Sequence, residues 1–235
     1  RQYSLLHDFD YDPWNVLSFL SLGLIEATRK GQKSGEKIKL ADTVIVRVLS
    51  QFKKNNGKLE NGQSATNQLG SQFSWACTLP THIHTILVWH IATTISWNEV
   101  PLEGNLDRLV AVSLSDYCAY LVAFILDMLL GHGYDTRRIF NEVVMEARQR
   151  LAGCETLSGR YEKLITGLHD DDGTILYKGA ELGRQLRDNV PDQGQRWKVL
   201  ADFWAEFILF LAPSDNADIH AEMLATGGEL MTHLW

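Results

Sequence analysis

The segment from Trp197 to Leu211 constrains the fold of this chain more than any other. Lys198, Asp202 and Glu206 lie at four-residue steps on one helical face, where Lys198 and Asp202 can pair. A helix here would begin near Arg196 and end near Ala212, because Pro213 cannot continue it. At 3.6 residues per turn the apolar side chains share one broad face, which predicts a helix that packs against other helices: Trp197, Leu200, Ala201, Trp204, Phe207, Ile208 and Leu211.

The residues after Pro213 predict two further helices. The serine–aspartate pair directly after Pro213 can cap a helix over about 216–225. Thr226 and Glu229 are spaced as a capping box for a last helix, and the two glycines between them allow a sharp reversal. Glu229 and His233 then lie one turn apart. They are either a pair placed for proton transfer or a helix-end pair that satisfies two polar groups, and we favour the second because capping already explains the glutamate.

Helical spacing recurs through the rest of the chain, and no alternating strand pattern competes with it. The stretch from Ile83 to Trp97 is apolar nearly all round, which predicts a central helix. Leu40 to Phe52 predicts a helix with one apolar stripe, formed by Val44, Val48 and Phe52 with Ile45 and Leu49 beside them. We expect an all-α protein, a single irregular multi-helix bundle. Further helices are predicted over about 14–28, 107–130, 135–151, 156–167 and 179–189.

We expect residues 1–235 to form one helical domain. Residues 55–72 contain three glycines and many amides, which predicts a flexible loop with room for one short helix around 64–69. The first sixty residues hold few apolar anchors for a separate core. Residues 1–40 are therefore expected to be a peripheral amino-terminal segment.

Charge is unevenly distributed along the chain. The net charge of −7 argues against nucleic acid as a partner. Residues 1–60 nevertheless carry +3. The basic segment is either a contact for anionic lipid headgroups or a solvated loop, and on these residues alone the solvated loop is favoured. Its members are Arg29, Lys30, Lys33, Lys37 and Lys39.

Cysteine usage and hydropathy indicate the compartment. Cys77, Cys118 and Cys154 are odd in number and lack CxxC spacing, which is typical of free thiols in a reducing compartment. The longest uncharged apolar runs, such as Tyr117–Leu126, fall short of the ~20 residues that span a bilayer. We therefore expect this chain to be soluble as it stands.

Histidines are the residues most suggestive of chemistry. A helix places His82 and His84 roughly opposite one another, where they cannot easily share a metal ion. For His90 we favour a core histidine bonded to a neighbouring helix. The sequence leaves open whether His90, His169 and His233 converge in one pocket.

Other motifs assign no reaction. The acidic stretch from His169 to Gly173 lacks the spacing of a calcium loop and is best interpreted as a solvated turn. The sequence contains no GxxxxGK[ST] phosphate loop, no GxGxxG after a strand and no GxSxG elbow. We therefore assign no catalytic, cofactor-binding or metal-binding residue and expect no cofactor.

Three separated stretches resemble one plant family: Ile86–Ile95, Leu114–Leu126 and Gly227–Trp235. In order and spacing they are similar to the plant domain-of-unknown-function proteins numbered four-two-two-zero, whose carboxy-terminal box is numbered five-nine-four. The segment Arg196–Ala212 resembles the one that usually precedes that box. The resemblance covers roughly residues 40–235 and is most specific in the GGEL-x-T-H-x-W box.

The resemblance implies a multi-pass plant membrane protein whose transmembrane helices precede this piece. The chain would then be a soluble portion on the cytosolic face, cut before its natural carboxy terminus, with the basic segment beside the membrane. The family has no established reaction, so no catalytic residue is carried over. We expect a non-enzymatic helical interaction or regulatory module. Two alternatives stay open: a hydrolase using buried histidine and carboxylate groups, with or without a metal, and a module that self-associates through its apolar carboxy-terminal helices.

Overall fold

Helices make up the regular structure of the described residues, in which no strand occurs. The computed structural model describes residues 1–13, 29–33, 35, 38–98, 104–129, 133–167, 173–213, 218, 221, 224–225 and 229–234. Two 3₁₀ helices span Ser71–Cys77 and Leu126–Met128. The prediction of an all-α bundle is confirmed. The α-helices are α1 (Leu5–Asp8), α2 (Asp42–Lys54), α3 (Gln63–Thr66), α4 (His82–Trp97), α5 (Leu106–Phe124), α6 (Gly133–Arg150), α7 (Leu157–Gly167), α8 (Ile175–Asn189), α9 (Gln193–Leu211) and α10 (Leu230–Leu234).

Helix α4 runs through the middle of the core, as its composition predicts. Thr81 caps its first turn by accepting a hydrogen bond from the His84 backbone N–H. The side chains from Thr85 to Ser96 are all buried. Trp89 stacks on Phe203 of α9 with 3.6 Å between ring centroids, so the central helix and the carboxy-terminal helix share one aromatic core.

Helices α4 and α8 approach closely through two glycines of α8. A Cβ atom on Gly179 would lie 2.6 Å from the Ile91 Cβ, and one on Gly183 would lie 3.1 Å from the Ile95 Cδ1. The two glycines and the two isoleucines are each four residues apart, so the isoleucine ridge of α4 lies in a groove of α8. The helix predicted over 179–189 begins earlier, at Ile175, where Thr174 caps it by accepting from the Tyr177 N–H.

Helix α9 is buried on two faces. The predicted apolar face is confirmed, since all seven of its residues are buried. Asp202 and Glu206 are also buried, with 3% and 0% exposure. Asp202 pairs with Lys198 at 2.7 Å and with Arg47 of α2 at 2.8 Å. Glu206 accepts hydrogen bonds from the Glu60 backbone N–H at 3.1 Å and from the Ser64 hydroxyl. The acidic face of α9 therefore holds α2 and the loop before α3.

The amino terminus belongs to the core, which corrects the expectation of a peripheral segment for residues 3–9. Tyr3, Leu5, Leu6 and Phe9 are buried. The Tyr3 backbone N–H donates to the Asp116 carbonyl oxygen at 3.1 Å. Short as it is, α1 is fixed by hydrogen bonds to α4 and α5 that the sequence pattern does not reveal.

Several boundaries differ from the predictions. Helix α5 ends at Phe124 rather than near residue 130, because Ile125 leaves the helical region with φ −130° and ψ 57°. In the 55–72 loop, α3 begins one residue before the predicted short helix, and Gly62 at φ 78° packs against the Phe203 ring. The 3₁₀ helix Ser71–Cys77 was not predicted. The predicted helix over 14–28, the Thr226 capping position, His169 and Lys37 lie outside the described residues. Of the predicted helix over 216–225, only residues 218, 221 and 224–225 are described, and all four are helical.

Two expectations about thiols and hydropathy can be compared with the fold. Cys77, Cys118 and Cys154 are free, as predicted, and the first two are buried. Burial raises the pKa of the Cys77 thiol to about 11. Of the helices that the structure describes, none has the length and apolar character needed to cross a bilayer.

Candidate functional site

A groove of about 1080 Å³ lies between α2 and α5 and ends at α10. Helix α5 contributes Leu109, Ser113, Tyr117 and Tyr120. The remaining lining comes from the amino terminus, the segment before α2, and α10: Arg1, Gln2, Ile38, Lys39, Leu40, Ala41, Asp42, Ile45, Ile125, Glu229, Leu230 and His233.

The end of the groove is built on a buried tyrosine. The Tyr117 hydroxyl accepts a hydrogen bond from the Met231 backbone N–H at 3.1 Å, and the Met231 side chain is fully buried. Burial raises the pKa of Tyr117 well above its ordinary value, so the phenol stays protonated. This contact fixes the five-residue helix α10 against α5.

Helix α2 presents an apolar stripe to solvent beside the groove. Val44 and Val48 are buried, as predicted, whereas Ile45, Leu49 and Phe52 are 40%, 50% and 45% exposed. These three residues, here called the α2 stripe, recur at steps of four and three and so share one side of the helix. The single stripe predicted from sequence is therefore divided between a core face and a solvent face.

The surface around the α2 stripe is also apolar. Leu106 and Leu109 of α5 are 60% and 43% exposed, and Ile38 is 56% exposed. Ile38, Ile45 and Leu109 line the groove, so the exposed apolar surface runs into it. Monomeric proteins rarely leave several large apolar side chains contiguous at the surface unless the patch has a role.

Arg47 fixes the orientation of α2. Its guanidinium pairs with Asp107 of α5 at 3.0 Å and with Asp202 of α9 at 2.8 Å. The pairing is only partly exposed, since a quarter of the Arg47 side chain is accessible and Asp202 is almost fully buried. With Val44 and Val48 in the core and Arg47 bound on one flank, the α2 stripe is left on the other flank.

His90 has a structural role, as the sequence interpretation favoured. Its Nε2 accepts a hydrogen bond from the Leu5 backbone N–H at 3.0 Å. The proton therefore lies on Nδ1, which donates to Ser115 Oγ at 2.9 Å. Burial lowers the pKa of His90 to about 3, so the ring is neutral. A fully buried imidazole with both nitrogens bonded offers no free atom to a substrate.

The other described histidines are dispersed. The His82 ring contacts the edge of Phe210 at 5.3 Å between centroids, while His84 Nδ1 lies 2.8 Å from Thr81 Oγ1. His233 lines the groove, away from buried His90, so these two do not share a pocket. Among the residues that the structure describes, no three His, Cys, Asp or Glu side chains are grouped as metal ligands would be.

Glu229 and His233 both line the groove, but they do not pair. Their backbone groups join through the His233 N–H and the Glu229 carbonyl at 3.2 Å. No side-chain hydrogen bond or ion pair links these two described residues. Neither the proton-transfer pair nor the helix-end pair suggested by the four-residue spacing is formed.

The basic segment lies close to positively charged side chains of α6. Exposed Lys30 and Lys33 lie 3.6 Å and 4.0 Å from Asp12 and Asp8, while Lys39 lines the groove. Arg29 lines one surface depression together with Arg137 and Arg138 of α6. These arginines are more than a hundred residues apart in sequence, so local charge runs could not reveal their proximity.

Comparison with known proteins gives one partial similarity. The chain is similar to the family described as "Protein of unknown function, DUF594" over residues 189–235. That stretch includes α9 and α10, and it supplies Glu229, Leu230 and His233 to the groove. Neither the curated proteins nor the solved structures contain a match to the chain. The carboxy-terminal part of the resemblance seen in the sequence is therefore supported.

Proposed function

We propose that this chain is a non-enzymatic helical interaction module, and that its docking surface is the α2 stripe together with the adjoining groove. The occupant is an apolar segment of a partner protein. The exposure of Ile45, Leu49 and Phe52 on one side of α2 carries the proposal. An amphipathic helix with anchors at three- and four-residue steps would complement such a stripe.

Docking would remove the exposed parts of these side chains from water, which is favourable. Burying one large apolar side chain completely is worth ~1.5–3 kcal/mol, and about half of each stripe residue is already buried. Covering the three would therefore contribute on the order of 3 kcal/mol. Arg47 holds α2 in place through its two ion pairs, so this gain requires little reordering of the surface.

We further propose that the module works on the cytosolic side of a plant membrane protein, with its basic segment toward an anionic bilayer surface. The family resemblance of the sequence and the match over residues 189–235 support this setting. The proximity of Arg29 to Arg137 and Arg138 adds charge of the sign that anionic headgroups attract. The other members of the segment are Lys30, Lys33, Lys37 and Lys39.

Self-association is the second candidate, because a second copy of the chain could cover the same exposed stripe. Light scattering of the purified chain separates self-association from partner binding, since self-association gives a dimer or larger species without any partner.

The hydrolase alternative makes a different prediction. Elemental analysis would have to find stoichiometric zinc, iron or manganese, or a hydrolase screen would have to find turnover.

The test of the proposed function compares three immobilised proteins in a plant extract. The wild-type chain should retain a partner that the Ile45→Asp, Leu49→Asp double variant loses. The control is the Thr43→Asp, Ser50→Asp double variant, because both residues are exposed on the same helix and neither lies three or four residues from a stripe residue. Retention of the same proteins by all three chains would contradict the proposal.

A further inference from the structure

A small pocket of about 140 Å³ opens where α1 meets α4 and α5. It shares no lining residue with the groove. Its volume corresponds to roughly five water molecules at about 30 Å³ each. That is far below the ~300 Å³ at which drug-sized ligand sites begin. It is lined by Ser4, His7, Thr93, Thr94, Trp97, Val112 and Asp116.

The pocket contains a carboxyl group without a cationic partner. Only about a fifth of the Asp116 side chain is exposed, and His90 Nδ1 is 3.8 Å away. That nitrogen gives its proton to Ser115, and the ring is neutral. In the described part of the chain, Asp116 forms no ion pair with lysine or arginine. Burial and repulsion from Asp8 raise the pKa of Asp116 to about 8.

The two threonine hydroxyls of the pocket are acceptors toward a ligand. The Thr94 hydroxyl donates its proton to the His90 carbonyl oxygen at 2.7 Å, and the Thr93 hydroxyl donates to the Trp89 carbonyl oxygen at 2.7 Å. The Thr93 oxygen also accepts from the Trp204 Nε1–H at 3.0 Å, so each hydroxyl has given its proton to the backbone and can offer a ligand only a remaining lone pair. Burial lowers the pKa of His7, so its ring brings no positive charge near neutral pH.

An aromatic wall completes the site. Trp97 lines the pocket and is 40% exposed. The Arg108 guanidinium covers one face of this ring, with its central carbon 3.7 Å from the ring centroid, so a ligand can meet only the opposite face or the edge of the indole. A carboxyl group that a bound cation would hold in its ionised form, hydroxyl acceptors and an indole together favour a ligand that brings both positive charge and N–H donors.

We propose that this pocket binds a small primary ammonium group, with the Asp116 carboxylate as counter-charge and Trp97 as the aromatic wall. Only a few heavy atoms of the ligand fit inside the pocket. A free alkylamine and the end of a lysine side chain share this chemistry. The proposal does not depend on the groove or on the docking of a partner there.

The test is calorimetric titration of the purified chain at pH 9 with ethylammonium chloride, against sodium chloride at equal ionic strength. We expect saturable binding of one ethylammonium per chain. Asp116→Asn should weaken it at least about tenfold, which corresponds to 1.4 kcal/mol. Asp188→Asn, at an exposed carboxylate, should leave it unchanged. Thermal melts of each variant confirm that it is folded.

Two further measurements identify the source of the ammonium group and the protonation state of Asp116 that binds it. Acetyl-lysine-methylamide, whose ε-amino group is free, binds at least as well as ethylammonium if the natural ligand is a protein lysine, and more weakly if it is a free amine. The affinity should rise as the pH increases through about 8 and then level off, because only ionised Asp116 attracts the cation.

The titratable and charged groups around Asp116 are His7 and Asp8 on α1, His90 on α4, and Arg160 and Tyr161 on α7.

These neighbours do not account for a transition near pH 8. Burial lowers the pKa of His7 and brings that of His90 to about 3, while the pKa of Tyr161 is raised to about 12. Absence of saturable binding by both amines, or equal affinity of wild type and Asp116→Asn, would overturn the proposal. So would an affinity that does not change between pH 7 and pH 9.

Discussion

His90 Nε2 accepts a hydrogen bond from the Leu5 backbone N–H at 3.0 Å, which joins α1 to the central helix across 85 residues of sequence. The same ring donates to Ser115 of α5. One neutral imidazole therefore connects three helices.

Replacing this ring should destabilise the fold. His90→Leu leaves the Leu5 N–H and the Ser115 hydroxyl without their partner in the core, and a buried unsatisfied polar group costs about 1–3 kcal/mol. We expect a loss of that size in the free energy of unfolding, measured by urea titration. His233→Leu, at an exposed histidine, is the control and should change the stability little. Equal stabilities for the two variants would show that His90 is not structural.

The Trp204 indole should also contribute strongly to the stability of the fold. It is fully buried, and its Nε1 donates to Thr93 Oγ1 at 3.0 Å. Trp204→Ala should lower the free energy of unfolding by ~3–5 kcal/mol, because truncation leaves a cavity between α4 and α9. Trp204→Phe should lose less, since it keeps most of the apolar contact. Thermal melts measure both, and an unchanged midpoint for Trp204→Ala would refute the core assignment.

The sequence was informative where periodicity alone decides the structure. Ile83 to Trp97 and Trp197 to Leu211 are long and strongly apolar, and both are buried helices as predicted. The type of each of these helices follows from spacing, and so does the all-α class. The ends of helices were less accurate, as at Phe124, because a single backbone angle at Ile125 determines the stop.

The contacts between helices could not be predicted. The spacing predicted a single apolar stripe on α2. Burial of Val44 and Val48, together with the ion pairs of Arg47 to Asp107 and Asp202, leaves part of that stripe exposed to solvent. The amino terminus has no long periodic pattern, yet its apolar side chains are buried and its backbone hydrogen bonds join it to α4 and α5. Such contacts join residues far apart in sequence, and no local pattern carries them.

The close approach of α8 to α4 predicts a penalty for one added methyl group. Gly179→Ala places a Cβ 2.6 Å from the Ile91 Cβ, so one helix must shift. Overpacking of this kind costs about 1–3 kcal/mol, measured by urea unfolding. Ile91→Ala should partly rescue the variant in a double-mutant cycle. Gly167→Ala is the control, because its Cβ meets only Lys163 Cγ at 3.4 Å, and a similar loss there would argue against the tight contact.

The pH dependence of stability should report Asp116. Its pKa is about 8 in the folded protein and near 3.8 when unfolded. The folded state binds more protons between these values, so this group lowers stability as the pH rises from about 4 to about 8. Asp116→Asn should match the wild type near pH 4 and exceed it by more than about 1 kcal/mol at pH 9.

The pH window of His90 overlaps the lower part of the Asp116 window, but the effect of His90 cancels when Asp116→Asn is compared with the wild type. The pKa of His90 is about 3 when folded and 6.5 when unfolded, so its contribution is lost as the pH falls below about 6.5. Both Asp116→Asn and the wild type keep that acidic loss. Parallel curves for the two proteins up to pH 9 would contradict the assignment of Asp116.

The most direct test of the docking surface is the dissociation constant of a partner recovered from the plant extract, measured by interferometry against three folded chains. We expect Ile45→Asp with Leu49→Asp to weaken binding at least about tenfold, or 1.4 kcal/mol. We also expect Thr43→Asp with Ser50→Asp, which adds the same two charges off the stripe, to bind as the wild type does. Equal dissociation constants for all three chains would contradict the claim that this exposed face of α2 is where the protein meets its partner.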